Sequence, residues 1–469
     1  MNDPQPPVVA PDVVRPREGQ QETGLNSLTS QFFSLRDAYR LGIFHLGVSI
    51  ALVQGGTYLS QIAVATLLPP SDFAVVKILD TVLVLLLTLA ALGMPAAVAR
   101  FVPEVQQPQR QGLVLTHTLL LATLGAVASA AIVYVLLPSI FVDPRTLRFS
   151  RWVIWLLIPL GLSRTLLGFF QGQKRIRLLA GANVSVSVVT LTVVVLSTWQ
   201  WELPGWILGR FVGEGLAALA LFVLAARQLV LSLRRDLLKR IFVFGWFAGL
   251  SLMVSRMIYS MDILYLDRLK ADPWQTGCYG LASSLVLLVL LLPSAIGMVA
   301  LPEMAERSRD PRASFQLAMK AIVNALVAVV LVAAGLFLLA PTLLPLVFGR
   351  DYYFSSELLR ILLLGTLFYV PASILGTHLF ALGQSKITFP ANLLVLAINL
   401  GANVVLIPEW GARGAAAAMV ATHVSLLLIY AGLTFAVLNN VRLPFLHPLG
   451  PAAPVEEGAL STGRSLNGY

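Results

Sequence analysis

Charge is scarce in this chain. Only 12% of its 469 residues are Asp, Glu, Lys or Arg, about half the share of a soluble globular domain. That shortage excludes a surface facing water on all sides. Cysteine is scarcer still: the single Cys278 excludes an intrachain disulfide and any cysteine-built metal site. The sequence also lacks a phosphate-binding glycine loop, a zinc motif and a nucleophile elbow. No break in the apolar pattern is long enough to hold a soluble domain. A membrane enzyme such as a glycan polymerase would need a sizeable exterior loop or catalytic groups outside the bilayer, so the sequence reads as a non-enzyme.

What is abundant is apolar. Hydrophobic residues make up 57% of the chain, and mean hydropathy is +0.81. A helix needs roughly 20 apolar residues to cross the hydrocarbon layer, where backbone groups must bond internally. Runs of that kind fall at 41–68, 73–94, 112–137, 152–170, 179–198 and 206–225. Six more fall at 241–265, 277–300, 321–339, 358–382, 389–407 and 414–438. The expected fold is an all-α integral membrane protein of about a dozen spans.

The net charge of +10 would suggest nucleic acid in a soluble protein. Here the basic residues lie mostly between the runs, so no nucleic-acid partner is expected. With the first residue cytoplasmic, that side takes 21 Lys and Arg and the other side 8, as the positive-inside rule requires. An even number of spans leaves both termini cytoplasmic. Trp152, Trp155, Trp199, Trp201, Trp206, Trp274 and Trp410 then fall near outer ends of spans, as an aromatic belt. Residues 1–40 hold prolines and charge without a signal-peptide core. Leu25, Leu28, Phe32, Leu35 and Tyr39 are at helical spacing, either as an interfacial helix or as an extension of the first span.

The chain divides into two halves. Residues 41–228 form one six-span lobe, 229–240 a basic cytoplasmic linker, 241–438 a second lobe, and 439–469 a cytoplasmic tail. Gly172-Gln173-Lys174-Arg175-Ile176 after span four recurs as Gly383-Gln384-Ser385-Lys386-Ile387 after span ten. Asn183 and Asn392 trail these motifs at similar intervals, and Pro95 with Pro103-Glu104 matches Pro293 with Pro302-Glu303. Six spans per half is even, so the repeats are parallel, with a substrate path expected between them.

Several pieces in order resemble the Wzx-type polysaccharide flippases of the MOP exporter superfamily, which also holds MATE drug exporters and lipid II flippases. They are Leu68-Pro69-Pro70-Ser71-Asp72-Phe73, Phe170-Gln171-Gly172-Gln173-Lys174-Arg175, Leu238-Lys239-Arg240 before Phe244-Gly245, and Gly277-Cys278-Tyr279-Gly280-Leu281-Ala282. Pro408-Glu409-Trp410-Gly411-Ala412-Arg413-Gly414 before span twelve is similar too. The resemblance covers roughly residues 40–438. It implies a MATE-like MOP fold, two lobes rocking around a central cavity in the cytoplasmic membrane of a bacterium. It implies transport of a polyprenyl-diphosphate-linked oligosaccharide, with membrane lipids and polysaccharide-assembly proteins as further partners. The protein is expected to be a monomer without a cofactor or metal, coupled to H+, Na+ or the membrane potential.

An anionic head needs cations and hydrogen-bond partners to cross hydrocarbon, and ionisable residues inside spans are functional candidates by default. Arg256, deep in span seven, is the first of these. Arg164 lies about two turns from the cytoplasmic end of span four, within reach of snorkelling. Lys77 and Asp80 in span two, and Arg210 and Glu214 in span six, are spaced to share a helix face. Each pair reads either as self-neutralised or as cavity-lining. In the second case Lys77 and Arg210 contact phosphate, and Asp80, Glu214 or Asp262 serve ion coupling. Lys174, Arg175 and Arg177 mark a cytoplasmic entrance or simply obey the positive-inside rule. The four cations against three acids leave the cavity barely cationic. Acidic groups there keep a MATE-type cation-coupled drug antiporter open as an alternative. A lipid II flippase usually has more spans. His45, His117, His378 and His423 are scattered singly, as interhelical bonds rather than metal ligands. Met253, Met257 and Met261 form an adaptable packing stripe.

Overall fold

The computed structural model describes residues 56–441, apart from positions 57, 104, 106, 142, 174, 270, 271, 309 and 440. The two tails, the 25–39 segment, His45 and most of the first apolar run lie outside the described residues. Among the described residues every regular element is a helix. α1 (Tyr58–Leu67) completes the first run and leads into α2 (Pro70–Ala90), α3 (Met94–Phe101) and α4 (Pro108–Ile140). α5 (Pro144–Val153) and α6 (Leu157–Gly172) form one span, and α7 (Ile176–Ala226) ends the first half. The second half holds α8 (Arg235–Ile258), α9 (Met261–Arg268), α10 (Pro273–Val289) and α11 (Leu291–Glu306). α12 (Pro311–Phe348), α13 (Tyr353–Ala381), α14 (Ser385–Trp410) and α15 (Ala412–Leu438) complete it.

Nine stretches of the described residues are long and apolar enough to cross a membrane. α7 contains two spans. The charged run at 241–265 is taken by α8 and α9 together, and α1 ends the first run, so each of the twelve runs has its helix. Three starts share one device. Asp143, Asp272 and Asp310 cap helices whose next residue is proline, accepting hydrogen bonds from the backbone N–H of Thr146, Trp274, and both Arg312 and Ala313. Proline at the first turn fixes φ where its missing N–H costs nothing, and the carboxylate satisfies an orphan donor.

α7 is a hairpin rather than one rod. Its helical backbone breaks at Trp201 and Glu202, the latter at φ 51°, ψ −131°. Beyond the break the chain doubles back, and Gly205, Gly209 and Gly213 lie against Ser197, Val194 and Thr190. A Cβ on Gly205 would lie 1.8 Å from the Ser197 carbonyl oxygen. Small residues at every fourth position let two backbones approach in a membrane. The second half repeats this turn. Gly411, just after Trp410, has φ 56°, ψ −130°, and Gly414 lies on the Leu406 carbonyl. Trp201-Glu202 with Gly205 thus corresponds to Trp410-Gly411 with Gly414, an element of the repeat carried by backbone angles more than by residue identity.

The molecule has a tryptophan end and a basic end. Trp152, Trp155, Trp199, Trp201 and Trp410 are exposed at the first, whereas Trp206 is 4% exposed and belongs to the core. Burying Trp206 removes it from the expected belt. Trp274 stacks on Phe354 and donates Nε1–H to the Asp351 carbonyl. Met257 packs against the core. At this end the halves meet closely: α2 packs on α10, and Tyr352 donates its hydroxyl to the Leu68 carbonyl (3.0 Å). Also here, burial pushes Asp267 up to about 6, with Asp143 adding to the rise and Arg268 opposing it.

At the basic end the first half of α8 packs on α2, α3 and α4. Gly93, at φ 63°, has no room for a Cβ against the Gly245 carbonyl, which would be 2.0 Å away. Arg100 lies over the Phe244 ring and Arg240 over the Phe101 ring. His117, buried in α4, accepts the Arg234 N–H on Nε2 (2.9 Å) while its Nδ1 faces the Leu113 carbonyl (2.7 Å). α8 also packs on α14, and past its end at Ile258 the chain continues into α9, which packs on α2, α10 and α14. His378 pairs with Ser314 inside the second half (3.1 Å). His117 and His378 thus tie neighbouring elements together, whereas neither ring nitrogen of His423 has a hydrogen-bond partner among the described residues.

Candidate functional site

A cavity of about 860 Å³ lies between the halves. Its position along each helix is informative. On α2 the lining runs from Lys77 to Thr88, on α6 from Leu160 to Gln171, and on α10 from Tyr279 to Leu287. The tryptophan-end turns of α2 and α10 contribute nothing, while Ala96, Ala99 and Gln171 carry the lining toward the basic end. The cavity therefore extends to the basic end and stops at the α2–α10 contact.

All seven charges singled out in the sequence line this one cavity: Lys77, Asp80, Arg164, Arg210, Glu214, Arg256 and Asp262. Their pairing differs from the intrahelical pattern that spacing suggested. Arg210 Nη2 reaches across to Asp80 Oδ1 at 3.1 Å, closer than its own-helix partner Glu214 at 3.9 Å. Asp80 Oδ2 accepts from Gln61 Nε2 at 2.6 Å. Lys77 makes no ion pair with Asp80; its Nζ donates to Gln61 Oε1 (3.0 Å) and to Ser284 Oγ (3.1 Å). Gln61 of α1 is thus the hub of the cluster. Sequence reasoning passed over it because a neutral amide carries no charge signal.

Lys77 and Arg210 are balanced by Asp80 and Glu214 through this network. Asp262 is 2% exposed and accepts a short hydrogen bond from the Tyr279 hydroxyl, while its other oxygen has no partner among the described residues. Arg164 and Arg256 stand apart. Among the described residues neither has a carboxylate within ion-pair distance, and Arg256 is exposed to the cavity. The cavity's small excess of positive charge is therefore concentrated on these two guanidiniums.

The second half adds the rings of Tyr259, Tyr279 and His423 to the lining, with Tyr369 behind them. Tyr259, which caps α8, meets Tyr369 edge-on (5.9 Å), and Tyr369 lies against His423 (5.1 Å). His423 is 2% exposed and lines the cavity. Behind it Asn399 donates to Thr422 (3.0 Å) and Asn403 to Asn399 (3.2 Å). Of the expected entrance residues, Arg175 is exposed at the basic end, just before α7. Lys174 and the side chain of Arg177 lie outside the described residues. Among the described residues no three His, Cys, Asp or Glu side chains converge as metal ligands.

Comparison with known proteins agrees with this architecture. The inward-facing conformation of a multidrug resistance MATE family transporter of the MOP superfamily superposes with a TM-score of 0.68 at 16% identity, covering 85% of this chain and 100% of that one. The lipid II flippase MurJ in its inward closed conformation gives 0.70 at 13% identity, covering 85% and 93%. These likenesses establish the fold, an all-α membrane protein of the MATE-like MOP type. In sequence, a Shigella flexneri protein provisionally named O-antigen transporter is 26% identical over 180 residues, 38% of this chain and 42% of that relative. The match thus spans less than half of the relative's length. A family model described as "Polysaccharide biosynthesis protein" matches residues 41–308. That is more than half of the chain, and the protein belongs to the polysaccharide biosynthesis protein family.

Proposed function

We propose that this protein is a flippase that carries a polyprenyl-diphosphate-linked oligosaccharide from the cytoplasmic to the outer leaflet by alternating access. The observation that carries this reading is the pair Arg164 and Arg256, two cavity-lining guanidiniums with no carboxylate partner among the described residues. A guanidinium binds phosphate oxygens through paired charge-assisted hydrogen bonds, and leaving it unpaired at membrane depth costs stability. An anionic cargo removes that cost. The Lys and Arg asymmetry supports a cytoplasmic basic end, with the cavity open where such a substrate is made. Arg175 sits at that end, and Tyr259, backed by Tyr369, faces the sugars. The lipid tail stays in the bilayer.

The unpartnered oxygen of Asp262 supports coupling to H+ or Na+, with Asp80 and Glu214 engaged by Arg210. The same acid gives the drug-antiporter reading its footing. Reconstitution into liposomes with a fluorescent lipid-linked oligosaccharide decides between them. Glycolipid should move, and Arg256→Ala should slow it about 10- to 100-fold while leaving a folded, inserted protein, since a charged hydrogen bond contributes about 1.5–3 kcal/mol. Wild-type rates in that variant would sink the assignment. Export of organic cations without glycolipid would select the antiporter.

A further inference from the structure

We propose that Lys77 is a cargo-operated lock on the seal at the tryptophan end: an anionic group reaching the end of the cavity takes the Lys77 ammonium from Ser284 and frees α2 from α10. The proposal rests on the transport reading only in requiring an anionic cargo.

The seal is a close backbone contact. A Cβ on Gly277 would lie 1.8 Å from the Pro70 carbonyl oxygen, and one on Gly280 would lie 2.6 Å from Lys77 Cγ. Glycine at these two positions lets α10 ride directly on α2 and gives the Lys77 stem a bed. The stem ends in a buried cation, 6% exposed. Its Nζ has only neutral acceptors, Ser284 Oγ across the seal and Gln61 Oε1. The nearby carboxylate of Asp80 is occupied by Gln61 and Arg210.

A buried ammonium held by an amide and a hydroxyl is poised to exchange. A hydrogen bond to phosphate is roughly twice as strong as one to a neutral oxygen, and the attraction grows in a poorly screened interior. Release costs Ser284 little. Its Oγ also donates to the Gly280 carbonyl (2.8 Å) and lies 3.0 Å from Gln61 Oε1, so it stays satisfied when the ammonium leaves. Withdrawal of Lys77 toward the cavity also empties the bed on Gly280. Because Lys77 lines the limit of the cavity farthest from the basic end, only a head group that has traversed the cavity reaches it. An empty transporter keeps its seal, and a neutral cargo does not release it.

The test uses the full chain in lipid nanodiscs, in a Cys278→Ser background. Spin-labelled cysteines replace the exposed Arg148 of α5 and Glu409 of α14, on opposite sides of the seal. Pyrophosphate is the probe. It should shift the label pair to a longer distance in the wild-type background. Ser284→Ala leaves Lys77 in place and removes its competing partner, so about five-fold less pyrophosphate should give the same shift, as expected for one hydrogen bond. Lys77→Met should abolish the response, with Lys77→Arg as a folded control that keeps it. A full response in Lys77→Met, or none in the wild-type background, overturns the lock. The outcomes separate from those of the flippase assay. A protein that exports organic cations yet opens with pyrophosphate through Lys77 keeps the lock and loses the flippase. One that moves glycolipid at the wild-type rate without Lys77 does the reverse.

Discussion

The first half of the chain faces the cavity with five of the seven charges, the second with Arg256 and Asp262 set among Tyr259, Tyr279, His423 and apolar side chains. Lys77, Asp80, Arg164, Arg210 and Glu214 come from α2, α6 and α7, whereas α13 and α15 supply Leu362, Met419 and His423. The backbone plan repeats between the halves down to the dihedral angles of a turn, yet the chemistry of the two walls does not. A parallel repeat fixes where helices stand. It leaves open what each wall binds, so a cavity between repeats can carry a charge network on one side and a lone guanidinium among rings on the other.

The contrast can be broken most sharply at Asp80. Asp80→Asn leaves the Arg210 guanidinium, 15% exposed, without its nearest carboxylate. Breaking such a buried pair costs about 3 kcal/mol, so thermal unfolding in detergent should begin at a clearly lower temperature. A smaller effect of opposite sign is expected where the halves share a turn. Glu202 holds φ 51°, ψ −131°, angles that glycine adopts freely and Gly411 occupies in the second half. Glu202→Gly should therefore stabilise by about 1 kcal/mol by relieving backbone strain, read as a raised midpoint in the same assay. Smallest is Asn399→Ala in the second-half amide cluster, which removes the hydrogen bond from α14 to Thr422 of α15, with an expected loss of about 0.6 kcal/mol, the average for interhelical hydrogen bonds in membranes. Equal losses for Asp80→Asn and Asn399→Ala would erase the distinction between the charged wall and the packing behind the other.

Much of this was legible in the sequence. The apolar runs placed twelve helices because backbone satisfaction in lipid demands them, and the rarity of charge inside them singled out seven residues that share one cavity. What stayed hidden was partnership. Spacing along a helix finds Arg210 and Glu214, but the closer Asp80 belongs to another helix, and no one-dimensional pattern reports that distance. Gln61 and Ser284 are neutral and so raise no alarm in a hydropathy profile. The turn at Glu202 was hidden for a different reason: its residue is wrong for its conformation, and only the glycines at 205, 209 and 213 hint that two backbones meet. Asp-Pro at 143–144, 272–273 and 310–311 was a readable start signal for α5, α10 and α12.

α8 packs on α2, α3 and α4 of the first half and on α14 of the second, and the chain then breaks at Tyr259 and Ser260 before α9, which also touches both halves through α2 and α14. A rod fastened to both arms of a clamp cannot follow either when the jaws swing; the joint must take up the angle. That joint lies three residues beyond Arg256. A bend there re-aims the guanidinium, so the residue that holds cargo rides on the crank, and grip and stroke become one motion.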